Sequence, residues 1–309
     1  MFASAKGWLD SRAVPLEAPG PVFPAARAGA SVALEGVSLV VDTPEGRIEI
    51  LRDASVRVEA GEFVCLLGPS GSGKSTILNL VAGFARPTSG RVLEADAAVD
   101  SPGPDRAMVF QDAALFPWLC LRDNVEFPLK LKGMTASART SRSEELLRLV
   151  HLWRFRDRYP HELSGGMRQR GAIARALATD PAVLLMDEPF AALDAQTREI
   201  LQGEVERIWS ATRKTVVFVT HNVREAVRLA DRVVLMGTRP GRILHQEIVD
   251  LPRPRAANDP RVSQLANGIG RRIASEVEKV AREEADEAWV APGTSKSGGD
   301  PRRQLGRGI

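Results

Sequence analysis

The chain has 309 residues, 44% of them apolar, enough for one large domain or two modest ones with a full core. The formal net charge of +3, with a pI near 9.1, comes mostly from arginine, partly in the tail PRRQLGRGI. That excess is too small and too dispersed for a nucleic-acid-binding surface. No apolar run reaches the length of a membrane span, and two cysteines without a partner pattern exclude a disulfide scaffold.

Residues 1–30 are rich in Pro, Ala and Gly, carry no basic-then-apolar leader, and predict disorder. Two strand-like runs follow, SVALEGVSLVV and RIEILRDASVRV, joined by the turn-forming DTPEG. They predict an antiparallel layer beside the core. EFVCLL then reads as a short buried strand, and Lys74 onward as a helix. Cys65 lies inside that strand, an inert core thiol that suits a reducing, cytoplasmic setting.

Between strand and helix lies GPSGSGKST, Gly68 to Thr76. Gly68, Gly71 and Gly73 open backbone conformations closed to other residues, so the loop amides can turn inward and cup an anion. Pro69, Ser70 and Ser72 complete a loop of small residues. The helix adds unpaired N–H groups and a positive dipole end at the same point. Lys74 supplies a full charge, and the Ser75 hydroxyl is a magnesium ligand by type. This is the phosphate loop G-x-x-x-x-G-K-S/T between a strand and a helix.

Gln111, in AMVFQDAALFPW, ends the next strand-like run. A glutamine there can touch magnesium or the attacking water; taken singly it reads by default as a solvated loop residue. Residues 112–178 hold only helical patterns and predict a helical subdomain. Within it, Ser164, Gly165 and Gly166 of LSGGMRQR open a helix, either as a plain cap or as backbone donors for an anion. AVLLMDEP is an apolar strand delivering Asp187 and Glu188 at its C-terminal end. Asp187 can hold magnesium through water, and Glu188 can polarise water for attack on a γ-phosphate. TVVFVTH ends in His221, on a strand expected beside the one ending at Asp187. The strands DRVVLMG and GRILHQEIV close a domain of residues 31–255. A helical extension over 256–290, with an amphipathic helix at Arg261 to Trp289, and a disordered tail at 291–309 complete the prediction. The alternation of strands and helices gives an α/β P-loop fold with a mostly parallel sheet.

In order and spacing these stretches resemble the nucleotide-binding subunit of ATP-binding-cassette (ABC) transporters, from about residue 31 to 250. GPSGSGKST resembles the Walker A motif, Gln111 the Q-loop, and Leu163 to Met167 the signature. LLMDEP resembles Walker B, AALD with Asp194 the D-loop, and His221 the switch histidine. SPGPDRAMVFQDAALFPW, DEPFAALDAQTR, PGRI and LPRPR are similar to the nitrate, sulfonate and taurine importer group. The resemblance implies ATP and Mg2+ as cofactors, with Ser75, Gln111 and Asp187 at the metal. It assigns hydrolysis to Glu188 with His221 and Gln111. It also implies a second copy whose Ser164 and Gly166 reach the first copy's ATP, a separate permease, a solute-binding protein, and a peripheral place on the cytoplasmic membrane face.

Three positions depart from the family pattern. Asn222 stands where aspartate is usual, Ala191 replaces serine at the D-loop, and the aromatic that stacks on adenine is replaced by Val41. Ile48 or Ile50 could cover the purine instead. Phe116-Pro117-Trp118 reads either as subdomain core or as the permease-facing surface. A non-transport ABC ATPase acting on nucleic acid or ribosomes is the alternative, but the short gap between Walker motifs and the single cassette argue against it. An exporter ATPase is a further alternative.

Overall fold

A computed structural model describes residues 27–44, 46–256 and 258–288. The expected terminal disorder therefore lies largely outside the described residues. Of the N-terminal stretch, Arg27 to Ala30 rest on the body: Lys214 donates to the Arg27 carbonyl at 2.7 Å and Thr215 to the Ala30 carbonyl at 2.7 Å.

Two sheets are stacked. The smaller is antiparallel: β1 (Val32–Thr43), β2 (Gly46–Val58), β4 (Ser89–Glu94) and β5 (Ala97–Ala98), in the order β2-β1-β4-β5. The larger contains β3 (Phe63–Leu67), β6 (Arg106–Val109), β7 (Val183–Asp187), β8 (Thr215–Thr220), β9 (Arg232–Gly237) and β10 (Arg242–Ile248). Its order is β10-β9-β3-β8-β7-β6, parallel except for β10. All five residues of β3 are buried, as a parallel strand covered on both faces requires.

Period-two alternation divides β3 between two cores. Phe63, Cys65 and Leu67 face a core built with the helices α2 (Leu121–Leu131), α3 (Ala136–Leu149), α4 (Gly165–Ala178), α5 (Ala195–Thr212) and α6 (Val223–Leu229). Val64 and Leu66 face α1 (Lys74–Ala82) and the antiparallel layer. The last helix, α7 (Pro260–Ala288), sets Val262, Ala266 and Ile269 into the first core.

The antiparallel layer is larger than the two runs expected from sequence. The β4–β5 hairpin turns at Ala95 and Asp96, which hold φ of 48° and 63° without glycine. Neither glycine nor asparagine stands in the turn, so the hairpin leaves little sequence signal.

Candidate functional site

The chain leaves β3 at Leu67 and enters α1 at Lys74. Two glycines between them are required sterically. A Cβ at Gly68 would stand 2.6 Å from the Met236 carbonyl oxygen. Gly73 has φ 81°, and a Cβ there would meet Leu51 of β2 at 2.5 Å. The loop is thus pinned between β9 and the antiparallel layer. The Lys74 ammonium is turned into it, donating to the carbonyls of Gly68 at 2.9 Å and Pro69 at 2.8 Å. Burial lowers its pKa, and the carboxylates of Glu188 and Asp187 oppose that shift. A buried cation among backbone groups is poised for a strong anion partner.

The parallel order brings the acids alongside. β7 and β8 pair with Asp187 opposite Val219, so Glu188 and His221 leave adjacent strand ends together. Ser75 donates to Asp187 at 3.0 Å, joining the first turn of α1 to the end of β7. Burial raises the Asp187 pKa, and the Ser75 hydrogen bond works against it. Glu188 holds φ 43°, uncommon for a residue with a side chain, and its N–H donates to the Val219 carbonyl at 3.0 Å. Its carboxylate lies 3.0 Å from His221 Nδ1. Since a carboxylate only accepts, that nitrogen carries the proton in this contact.

Gln111 follows β6 and shares a hollow with Ala113, Gly165, Arg168 and Pro189. Among the described residues no hydrogen bond joins its side chain to Ser75 or Asp187. Its neighbour Phe110 is held by Gln169, whose amide donates to the Phe110 carbonyl at 3.1 Å. The sequence reading missed Gln169, although it lies within the quoted LSGGMRQR.

Ser164 caps α4 by accepting from Met167 N at 3.3 Å, so the helix cap is real. Leu163 is buried beneath it. Gly165 faces Leu193, and a Cβ at Gly166 would meet Thr197 at 2.4 Å. The signature stretch therefore abuts the D-loop and the start of α5. No hydrogen bond joins it to residues 68–76 of its own chain among the described residues. Asp194 caps α5, accepting from Thr197 N at 2.9 Å, and Arg198 ties α5 back to the Leu193 carbonyl at 2.8 Å.

Val41 pairs with Ile48 across β1 and β2, and both side chains are exposed. Ile50 is half-buried against the layer-side core. Trp118 is 69% exposed, and Phe116 stacks between it and Phe127 at 5.5 and 4.9 Å, so Trp118 is not subdomain core. Buried Asn124 holds this loop, accepting from Phe116 N and donating to the carbonyls of Phe116, Leu119 and Cys120.

A phosphate loop closed over a lysine, with an acid and a histidine delivered by neighbouring parallel strands, makes this an ATP-binding cassette. Comparison with known proteins agrees. The ABC transporter family matches residues 51–191. An uncharacterized ABC transporter ATP-binding protein of Methanocaldococcus jannaschii is 48% identical over 222 residues, 72% of this chain and 83% of its own length. The taurine import ATP-binding protein TauB of Burkholderia pseudomallei is 44% identical over 259 residues, 81% of this chain and 100% of its own. A solved ATP-binding cassette, described as a dimeric post-hydrolysis state bound to ADP and Pi, is 35% identical. Its TM-score is 0.64, covering 72% of this chain and 100% of that one. The chain belongs to the ABC transporter family, among its ATP-binding subunits, and is an ATPase.

Proposed function

We propose that this ATPase drives an importer for taurine, an aliphatic sulfonate or a similar small anion such as nitrate. The observation that carries the ATPase part of this reading is the pair of contacts across the sheet end, Ser75 to Asp187 and His221 to Glu188. The import part rests on similarity to TauB over the whole of that relative.

In this reading Lys74 and the amides of residues 68–76 receive the β- and γ-phosphates of ATP. The Ser75 hydroxyl and the Asp187 carboxylate are hard oxygen donors 3.0 Å apart, a set that suits Mg2+ completed by phosphate and water. A magnesium ion held by these two residues would supply charge neutralisation for the phosphates. Glu188 orients the attacking water and accepts its proton. His221, released from Glu188 when nucleotide enters, donates to the γ-phosphate. Gln111 senses the same centre from the hollow beside Gly165 and Pro189. Asn222 leaves the turn at His221 without the charge usual there, yet still caps α6 through Arg224 N and Glu225 N.

The signature at Leu163 to Met167 serves a second copy. Two chains close head to tail, and Ser164 and Gly166 of each reach the ATP of the other; the dimeric form of the solved relatives supports this. Asp194 caps the helix that follows the loop between them. No helix of the described residues is long and apolar enough to cross a membrane. Similarity to an import ATP-binding protein supports a separate permease that carries the solute. The exposed surface at Phe116 and Trp118 fits its docking site, on the cytoplasmic face, with a solute-binding protein delivering cargo outside. Uptake of labelled taurine by cells carrying the chain tests the proposal. Uptake should vanish with Lys74→Ala; undiminished uptake would overturn it.

A further inference from the structure

The reaction as proposed leaves several buried acids unused, Glu225 among them. Glu225, in the first turn of α6, is 5% exposed. Gln202 of α5 donates to its Oε1 at 2.8 Å. Arg228 in turn donates to Gln202 Oε1 at 2.9 Å. The Thr220 hydroxyl accepts from Asn222 N at 3.0 Å, and Asn222 Oδ1 accepts from the N–H groups of Arg224 and Glu225. Thus both neighbours of His221 belong to one connected set of hydrogen bonds, and Glu225 is its hub, joined to the histidine turn through its N–H and to α5 through its carboxylate.

The set also reaches the D-loop. Arg198 and Gln202 are one helical turn apart on α5, so they share a face. Arg198 donates to the Phe190 and Leu193 carbonyls at 3.3 and 2.8 Å, while Gln202 holds Glu225. One helix face therefore grips the loop before Asp194 and the turn that carries His221.

We propose that Glu225 is a positioning residue for His221, fixing the histidine turn to α5 and so to the D-loop. This rests on the reading of His221 as a γ-phosphate contact. A buried ionic or polar hub adds little stability over a well-packed apolar one, so its role here is geometric. His221 itself is exposed, and among the described residues its side chain is tethered to Glu188, a contact that ATP would displace. Without the hub the imidazole loses its fixed distance to the strand ends, and hydrolysis slows while ATP still binds at the phosphate loop.

The experiment is steady-state ATP hydrolysis by the full-length chain as Glu225→Ala, Glu225→Gln, Gln202→Leu, His221→Ala and the double variant His221→Ala with Glu225→Ala. Glu225→Ala should lower kcat roughly ten-fold or more with the KM for MgATP held within about two-fold. Glu225→Gln, which still accepts from Gln202, should restore most of the rate. The double variant should match His221→Ala within about two-fold, because the hub acts only through the histidine. If Glu225→Ala does not fold, Gln202→Leu carries the same expectations. Effects that multiply in the double variant, or a raised KM with unchanged kcat, would overturn the positioning role alone. A parental rate for His221→Ala would overturn the reading of the histidine, and the proposal with it.

Discussion

The phosphate end and the base end of this nucleotide site are built differently. At the phosphate end almost every group is already committed: Lys74 to two carbonyls, Ser75 to Asp187, Glu188 to His221, and Gly73 wedged against Leu51. At the end proposed to receive the base, Val41 and Ile48 form an exposed apolar cross-strand pair. The phosphate loop is fixed by backbone geometry and close packing, whereas the proposed base contact rests on exposed side chains alone.

The largest break in that comparison should come from the acid. Glu188→Gln should slow hydrolysis by roughly 10²- to 10⁴-fold, the range for a positioned general base. Phosphate release assays measure it. Lys74→Ala removes a charge partner and should weaken MgATP binding by about 1.5–3 kcal/mol. Calorimetry showing unchanged affinity would contradict the role of its ammonium. Gly73→Ala places a side chain at φ 81° against Leu51 and should cost about 1–3 kcal/mol of folding stability in denaturant titrations.

Asp187 gives an effect of opposite sign. Burial holds its pKa above the ordinary 3.8, so the folded chain binds the proton more tightly than the unfolded one. Its contribution favours the fold below pH 3.8 and is lost as pH rises through the raised folded value. Asp187→Asn should therefore raise the melting temperature of the nucleotide-free protein at neutral pH, while abolishing magnesium-dependent stabilisation by ATP. A lower melting temperature would show that the carboxylate stabilises the empty site. The smallest effect belongs to the base end. Val41→Tyr supplies a stacking face and should improve ATP affinity by up to about 1–3 kcal/mol, the worth of a stacked base. If ATP and GTP titrations match those of the parent, another side chain already covers the purine.

The same contrast governs what could be read from sequence. GPSGSGKST was legible because its glycines answer local demands within nine residues: Gly68 packs against a carbonyl, and Gly71 and Gly73 hold φ of 78° and 81°. The meeting of Glu188 with His221 was legible because parallel apolar strands deliver their last residues to one edge. The β4–β5 hairpin was not, because Ala95 and Asp96 take left-handed conformations without glycine. Gln202 and Glu225 lie 23 residues apart on different helices, and no local pattern announces their pairing. Gln169 lay in plain view, but its partner is a backbone carbonyl 59 residues away. Long-range hydrogen bonds of single side chains leave no period in a sequence.

The claim at the centre of this account is that two copies of the chain close around ATP and that Glu188 opens them again by hydrolysis. Sedimentation of Glu188→Gln with MgATP tests it most directly. The account predicts a stable dimer that retains ATP and falls to monomer when nucleotide is removed. A variant that binds MgATP and stays monomeric would contradict it.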